Sequence, residues 1–279
     1  MNWQQFIEQA LREDIGEGDH TSLACVEANV QAGAVVVAKE TCIVAGVDLA
    51  CMVFRFLDVH VDIQVQVCDG QRVPAGSELM YVRGRAQSLL AAERLALNCL
   101  QRMSGIATLT RRFVDAVYPY RARILDTRKT TPLFRAAEKW AVRLGGGVNH
   151  RLGLYDMILI KDNHIDFCGG VEVAIDRSVD YLQQKGLQLP IEIEARNLDE
   201  VQRIVRHGGV QRIMLDNFSL PELAQAVQLI GGRYETEASG GITLDNVYQV
   251  AATGVDYISV GALTHAYRSV DISMKAATA

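Results

Sequence analysis

Five basic side chains stand at points of the sequence where they could bind a small anion. Arg128 and Lys129 are adjacent, His150 and Arg151 follow three glycines, and Lys161 ends an apolar stretch. Arginine and lysine bind carboxylates and phosphates through charge-assisted hydrogen bonds. An isolated Arg–Lys pair is more often simply solvated, and a lysine on an apolar strand needs an acidic neighbour or a ligand carboxylate. The grouping predicts a substrate pocket for an anion.

The local charge balance supports this anion pocket. Residues 121–151 contain eight Lys or Arg against two acidic residues, in a chain whose formal net charge is −5. Thr131 and Pro132 predict a helix N-cap and a first helical residue, whose free N–H groups would add to the positive field. An acidic protein with one basic segment is not expected to bind nucleic acid or membrane surfaces. The predicted partner is a small molecule.

Two acidic residues occupy equivalent positions one strand–helix unit apart. Glu194 ends the segment IEIE, and Asp216 ends RIMLD. Carboxylate oxygens at neighbouring strand ends suit Mg²⁺ or ribose hydroxyls, so Glu194 and Asp216 are the candidate metal ligands. An alternative interpretation pairs Glu194 with Lys161 in a salt bridge.

Two glycine-containing loops predict a phosphate site. Ser239, Gly240 and Gly241 follow one apolar strand, and Gly261 follows the next. Loops of this kind after the last two strands form the usual phosphate site of parallel α/β barrels. Each loop alone is a weak signal, but the two together, in this order, favour a phosphorylated ligand.

Short apolar strands alternate with helices in the second part of the chain, which predicts a parallel α/β fold. Because the carboxyl ends of parallel strands share one edge, the residues above are expected to meet there. Six strands are fewer than a standard barrel has, so we expect an irregular or incomplete barrel, with a doubly wound open sheet as the alternative. The six predicted strands are ILDT, MILIKD, IEIEA, RIMLDN, YETEASG and YISVGA.

The pattern before and after this region predicts three segments. Residues 1–107 should form a smaller α/β domain, residues 108–265 the barrel with the active site, and residues 266–279 a segment that packs back on the N-terminal domain. A helix at about residues 85–103 carries a polar stripe that includes Arg94 and could face a partner.

Composition places the chain among intracellular globular proteins. The six cysteines have no metal-type spacing and are interpreted as reduced core residues. The start of the chain lacks a signal-peptide pattern, and no stretch reaches transmembrane length. We therefore expect a cytoplasmic enzyme.

Long motifs in matching order give the chain a resemblance to the quinolinate phosphoribosyltransferases, also called carboxylating nicotinate-nucleotide diphosphorylases. The resemblance implies an N-terminal α/β open-faced sandwich domain, an irregular α/β barrel, Mg²⁺ dependence and an active site built at a homodimer interface. The motifs that carry it are LREDIGEGDHTS, AERLALNCLQRMSGIAT, LDTRKTTP, EKWAVRLGGGVNHRLGLYDMILIKDNH, IEIEA, IMLDN, EASGGIT and VDYISVGALTH.

The resemblance also implies a role for each candidate residue. Glu194 and Asp216 would hold Mg²⁺ and the ribose of phosphoribosyl pyrophosphate, and Lys129 or Lys161 would protonate the ring after decarboxylation. Leu133 replaces a glycine that many members have after TRKTTP, and we expect no positive φ there. The quinolinate pocket would consist of Arg128, Lys129, His150, Arg151 and Lys161, with Arg94 from the other subunit, and the 5-phosphate site of Ser239, Gly240, Gly241 and Gly261.

Three other functions fit the same fold. A molybdenum-transport-associated homologue or a nicotinate phosphoribosyltransferase would also keep the phosphate loops. A catalytically silent ligand-binding or regulatory barrel would keep only the fold. A monocarboxylate needs fewer cations than this sequence offers, and a silent barrel has no need of both acids. The sequence therefore favours quinolinate as the substrate.

Overall fold

A computed structural model describes residues 2–277, and their contacts divide the chain into two units. The first unit contains the chain up to Arg111, then Ala136–Gly146 and the chain from Tyr267 onward. The second unit contains Arg112–Arg135 and Gly147–Ala266. One long helix, α4 (Ala86–Ala116), runs through the domain boundary expected at residue 107, and Thr278 and Ala279 of the predicted C-terminal segment lie outside the described residues.

The first unit is built on an antiparallel sheet with strand order β12-β1-β5-β3. In β1 the buried positions alternate with more exposed ones, which is the pattern of a sheet covered on one face. The C-terminal strand β12 pairs with β1. The elements of this unit are α1 (Trp3–Ile15), α2 (His20–Cys25), β1 (Gln31–Ala38), β2 (Cys42–Ile43), α3 (Val47–Leu57), β3 (Asp62–Val65), β4 (Arg72–Val73), β5 (Glu78–Arg85), most of α4 and of α5 (Arg135–Leu144), and β12 (Ile272–Ala276).

The second unit contains the six predicted strands in one parallel sheet of order β6-β11-β10-β9-β8-β7. The strands β7 to β11 lie side by side in chain order, and β6 closes against β11. A doubly wound sheet reverses its order in the middle, so the barrel interpretation is the correct one. The elements are β6 (Arg123–Leu125), β7 (Ile158–Ile160), α6 (Asp162–Cys168), α7 (Val171–Lys185), β8 (Ile191–Ala195), α8 (Leu198–His207), β9 (Arg212–Asp216), α9 (Leu220–Ile230), β10 (Glu235–Ser239), α10 (Val247–Ala252), β11 (Tyr257–Ser259) and α11 (Ala262–His265).

The predicted fold class, a parallel α/β barrel with a smaller α/β domain, is confirmed, and the barrel is incomplete as expected. Within residues 2–277 the edge strands β6 and β7 do not pair with each other. An isolated bridge from Leu125 to Val148 extends the β6 edge instead.

The two faces of the barrel sheet differ in polarity. In β8, Ile191 and Ile193 alternate with Glu192 and Glu194, and all four are buried. Successive side chains of a strand point to opposite faces, so one face of β8 is apolar and the other carries carboxylates. Strands buried in a parallel sheet are normally apolar on both faces. The charged face therefore needs a specific explanation.

The helix start predicted at Thr131 and Pro132 is wrong, although the helix itself is present as α5. The backbone of Thr131–Phe134 forms a turn closed by a hydrogen bond from the Phe134 N–H to the Thr131 carbonyl, and α5 begins only at Arg135. Pro132 takes the second position of this turn, and Leu133 takes the third with φ at +62°. This is the arrangement of a type II turn, which favours glycine at the third position. The expectation that Leu133 needs no positive φ is therefore also wrong.

Two further predictions concerned membrane-spanning helices and the cysteines. Among the described residues, no helix has the length and apolar character required to cross a membrane. All six cysteines are free; Cys42, Cys51 and Cys99 are buried as predicted, whereas Cys25 and Cys68 are exposed.

Candidate active site

The cations after β6 are held by backbone contacts. Thr264, itself buried, donates a hydrogen bond from Oγ1 to the carbonyl of Lys129 at 2.7 Å. A methyl group added at Gly261 would lie 3.2 Å from Cδ of Lys129, so the stem of this lysine passes directly over the predicted phosphate loop. The loops after β6 and β11 therefore form one surface, as the parallel pairing of these strands requires.

The guanidinium groups of Arg128 and Arg151 are close enough to repel each other. Burial first, and then the neighbouring Arg128 guanidinium, lower the pKa of Arg151. Nε of Arg128 is buried and has no hydrogen-bond partner among the described residues. Two neighbouring guanidinium groups with spare donors are stabilised by a carboxylate or phosphate placed between them.

The carboxylate predicted on β8 contacts the lysine predicted on β7. Lys161 Nζ lies 2.7 Å from Glu194 Oε1, and the two residues follow the paired positions Ile160 and Ile193. The alternative interpretation, a salt bridge between them, is thus realised. Lys161 is half exposed, and its ammonium group has three donors, so it can bind Glu194 and a ligand together.

Asp216 and the first glycine loop lie side by side. Asp216 pairs with Ser239 in the sheet register, and Glu194 pairs with Met214, two positions before Asp216. Residues paired across parallel strands, and residues two apart on one strand, share a face. Glu194, Asp216 and Ser239 are therefore on the same face of the sheet, at its carboxyl edge.

Gly240 is required for the shape of this loop. Its φ is +96°, and a Cβ atom there would overlap Asn217 Oδ1 and lie 3.1 Å from the Asn217 backbone nitrogen. Any side chain would push the loop off Asn217. No atom comes within 4 Å of a Cβ placed on Gly241, so open space lies in front of this residue.

His150 belongs to a buried network that the sequence analysis missed. Its Nε2 lies 3.1 Å from Glu192 and 3.5 Å from Glu237, and Arg212 Nη1 lies 3.2 Å from Glu237. Burial alone would lower the pKa of His150, but the two carboxylates outweigh it and raise that pKa to about 9. Burial, and then Glu237, raise the pKa of Glu192 to about 7. The group therefore retains a proton shared between His150 and the carboxylates at neutral pH.

The signal for this network was present in the strand sequences. IEIEA and ETEAS alternate apolar or small residues with glutamates, whereas strands buried in a parallel sheet normally read as continuous apolar runs. The prediction rested on the residues at the strand ends, so it did not include Glu192, Glu237 and Arg212.

Two other expectations need adjustment. The basic segment 121–151 is divided between the two units, and Lys139 within it is buried. Arg94 lies in the first unit on α4, where it is exposed as predicted. Gln101, seven positions after Arg94 on the same helix, donates a hydrogen bond to the Ile272 carbonyl within that unit at 2.7 Å.

Comparison with known proteins gives one consistent result. A family model described as the C-terminal domain of quinolinate phosphoribosyl transferase matches residues 106–275, and the corresponding N-terminal domain model matches residues 19–104. Quinolinate phosphoribosyltransferase [decarboxylating] 1b of Nicotiana tabacum is 46% identical to this chain, over 96% of the chain and 81% of its own length.

A second plant relative and a solved structure agree with this. The chloroplastic nicotinate-nucleotide pyrophosphorylase [carboxylating] of Arabidopsis thaliana is 45% identical, over 96% of this chain and 81% of its own length. The crystal structure of NadC from Streptococcus pyogenes superposes with a TM-score of 0.92 at 40% identity, covering 97% of this chain and 94% of that one.

Proposed function

The chain belongs to the quinolinate phosphoribosyl transferase family, and we propose that it converts quinolinate and phosphoribosyl pyrophosphate into nicotinate mononucleotide, CO₂ and pyrophosphate, a step of NAD biosynthesis. Beyond the family itself, the pair Arg128 and Arg151 carries this proposal. Arg151 is destabilised by burial and by the charge of Arg128, and Nε of Arg128 is a buried donor without a partner among the described residues. An anionic ligand would offset both costs.

Quinolinate has two adjacent ring carboxylates, and desolvating both is costly unless each is paired. We propose that Arg128 and Arg151 bind them in the planar, two-donor manner of guanidinium groups, with Lys129 and Lys161 as further cations. A monocarboxylate such as nicotinate would leave part of this positive charge unpaired. The site thus favours the dicarboxylate.

Glu194 and Asp216 fit a Mg²⁺ ion bound together with the substrate. Mg²⁺ keeps several waters and takes one or two carboxylates plus phosphate oxygens, and these two carboxylates share a face at the sheet edge. When bound, the ion would neutralise charge on the pyrophosphate. Ser239, Gly240 and Gly241, with Gly261, are proposed to hold the 5-phosphate.

The reaction then follows from the positions of the charges. The pyridine nitrogen attacks the anomeric carbon of the ribose as the bond to pyrophosphate breaks, and Glu194 and Asp216 favour the positive charge that develops on the sugar. The ring is now a cation, so it can hold the electron pair left when the 2-carboxylate departs as CO₂. The ammonium group of Lys129 or Lys161 donates the proton to that carbon.

A direct assay tests the proposal. Pure protein with quinolinate, phosphoribosyl pyrophosphate and Mg²⁺ should produce nicotinate mononucleotide and CO₂ in equal amounts, and a chelator should stop the reaction. Nicotinate should not replace quinolinate. Equal turnover of the two acids would overturn the assignment in favour of a nicotinate phosphoribosyltransferase.

We further propose a cytoplasmic homodimer in which Arg94 completes the partner's site. Arg94 is exposed on α4, consistent with a residue that meets another subunit. Free cysteines fit a reducing compartment, although the name of the Arabidopsis relative places that protein in the chloroplast.

Mixing two inactive variants tests the shared site. Arg94→Ala and Arg128→Ala should each be nearly inactive, because each removes a cation from every site. In a hybrid dimer one site regains both arginines, so random pairing should restore about a quarter of wild-type activity. If native mass spectrometry shows hybrids but no activity returns, Arg94 does not act across an interface.

A further inference from the structure

The barrel interior contains a layer of charge below the proposed substrate site. Glu192 and Glu237 are 0% exposed, and the Arg212 side chain is 12% exposed. The register pairs Glu192 with Arg212 and Glu237 with Met214, so these side chains share one face. Burying them is costly unless each charge is balanced.

His150 connects this layer to Arg151. Its Nε2 faces Glu192 and Glu237 at 3.1 and 3.5 Å. Its Nδ1 accepts a hydrogen bond from the backbone N–H of Arg151 at 2.7 Å, and its own backbone N–H donates to Asp126 at 2.9 Å. Nδ1 is thus bonded to the backbone, and Nε2 lies within ion-pair distance of both carboxylates. The residue is only 8% exposed.

We infer that Glu192 and Glu237 are positioning residues that act through His150 on Arg151. This rests on the proposed function. The two carboxylates fix the orientation of the imidazole, the imidazole fixes the backbone at Arg151, and the guanidinium is thereby held in place for a ring carboxylate. Held in advance, it loses little conformational freedom on binding.

A buried metal is the competing explanation of the same cluster. Ligand atoms of His150, Glu192 and Glu237 lie within 4.8 Å of one another. However, Arg212 already lies 3.2 Å from Glu237 and 3.9 Å from Glu192, so the two carboxylates already have a cationic partner. A divalent cation added to neutral His150 and Arg212 would leave a net positive charge in the core. The ion-pair network therefore explains the burial better.

Steady-state kinetics of glutamine variants test the inference. Glu192→Gln and Glu237→Gln should each raise KM for quinolinate by ~10- to 100-fold and leave KM for phosphoribosyl pyrophosphate within ~2-fold. The reason is that only the binding of a quinolinate carboxylate by Arg151 is weakened. Glu235→Gln is the matched control, because Glu235 also bonds Arg212 but has a half-exposed side chain. It should behave as wild type. Equal effects on both KM values, or none, would overturn the inference.

A rescue experiment separates positioning from direct contact. His150→Asn keeps an acceptor near the Nδ1 position, whereas His150→Leu keeps only bulk, so the asparagine variant should retain at least ~10-fold more kcat/KM for quinolinate. In the His150→Asn background, adding Glu192→Gln should have no further effect, because asparagine has no Nε2 for the carboxylate to contact. If the two His150 variants are equally impaired and the effects in the double variant multiply, the carboxylates do not act through the imidazole.

Three controls complete the test. If Glu192→Gln does not fold, Glu237→Gln takes its place in the double variant, because both carboxylates face the same nitrogen. A metal ion retained by purified wild type and lost in Glu237→Gln, but not in Glu194→Gln, would replace the inference with a metal site. Absence of quinolinate turnover by wild type itself would refute the proposed function, whereas turnover that is indifferent to Glu192 and Glu237 would refute only the positioning role.

Discussion

Glu192 and Glu194 lie two positions apart on one strand and face the same side of the sheet, yet their surroundings differ sharply. Glu192 is enclosed with His150, Glu237 and Arg212, and burial raises its pKa to about 7. Glu194 forms its ion pair with Lys161, which is half exposed. The charges of the lower layer, formed by His150, Glu192, Arg212 and Glu237, are balanced within the protein. The upper layer, formed by Glu194, Asp216 and the cations at the strand ends, has charged groups that remain for a ligand. Burial alone therefore does not mark the residues that bind; the remaining charge does.

The first way to test this contrast is to remove one carboxylate from each layer. Glu237→Gln removes the carboxylate that lies 3.2 Å from the buried Arg212 guanidinium and should lower the free energy of unfolding by about 3 to 5 kcal/mol. Glu194→Gln breaks a pair whose lysine is half exposed and should cost less than about 1 kcal/mol. Urea unfolding at pH 7 measures both. Similar losses for the two variants would mean that the layers do not differ in kind.

Arg151 lies where the two layers meet, so its replacement should affect binding strongly. Arg151→Lys retains the charge but loses the planar pair of donors, and we expect a loss of about 2 to 4 kcal/mol in quinolinate binding. Isothermal titration with quinolinate measures this directly. The exposed Arg121 provides the control, and Arg121→Lys should bind normally. Near-normal affinity of Arg151→Lys would remove Arg151 from the pocket.

The lower layer should also make stability depend on pH. The pKa of His150 is raised from 6.5 to about 9 in the folded protein, where Glu192, Glu237 and Arg212 face its ring. Because Nδ1 accepts the Arg151 N–H, the proton that this raised pKa describes belongs to the coupled group on the other edge of the ring, Nε2 with the two carboxylates. Its stabilisation is complete below pH 6.5 and is lost as the pH rises toward 9, so the free energy of unfolding should fall by about 2 kcal/mol between pH 7 and pH 8.5.

In the variant His150→Asn the free energy of unfolding should not fall in this way between pH 7 and pH 8.5, so this variant serves as the reference. Buried thiols limit the usable range, because burial raises the pKa of Cys42 to about 11 and of Cys99 to about 12, while the same thiols ionise near pH 8.5 in the unfolded chain. A wild-type slope equal to that of His150→Asn would place the shared proton elsewhere.

The sequence predicted the strands of the barrel and the residues at their carboxyl ends, because hydrophobic periodicity and strand-end chemistry are both local signals. It did not predict the pairing of Glu192 and Glu237 with His150, since that network joins residues from three separate segments and depends on the sheet register. The turn at Thr131–Phe134 was missed for another reason. Proline suits both a first helical position and the second position of a type II turn, so Pro132 alone does not distinguish them.

That turn gives the smallest of the expected effects and concerns the loop that follows the upper-layer cations. Leu133 is 79% exposed and adopts φ of +62°, a region that costs a branched side chain about 1 to 2 kcal/mol. Glycine removes this strain but loses about 0.5 to 1 kcal/mol through the greater freedom of the unfolded chain. Leu133→Gly should therefore raise the free energy of unfolding by about 0.5 kcal/mol. Leu133→Ala keeps the strain, so it should not be stabilised, and thermal unfolding of the two variants beside wild type decides the matter. Stabilisation of the alanine variant to the same extent would show that the gain comes from removing an exposed leucine rather than from the backbone.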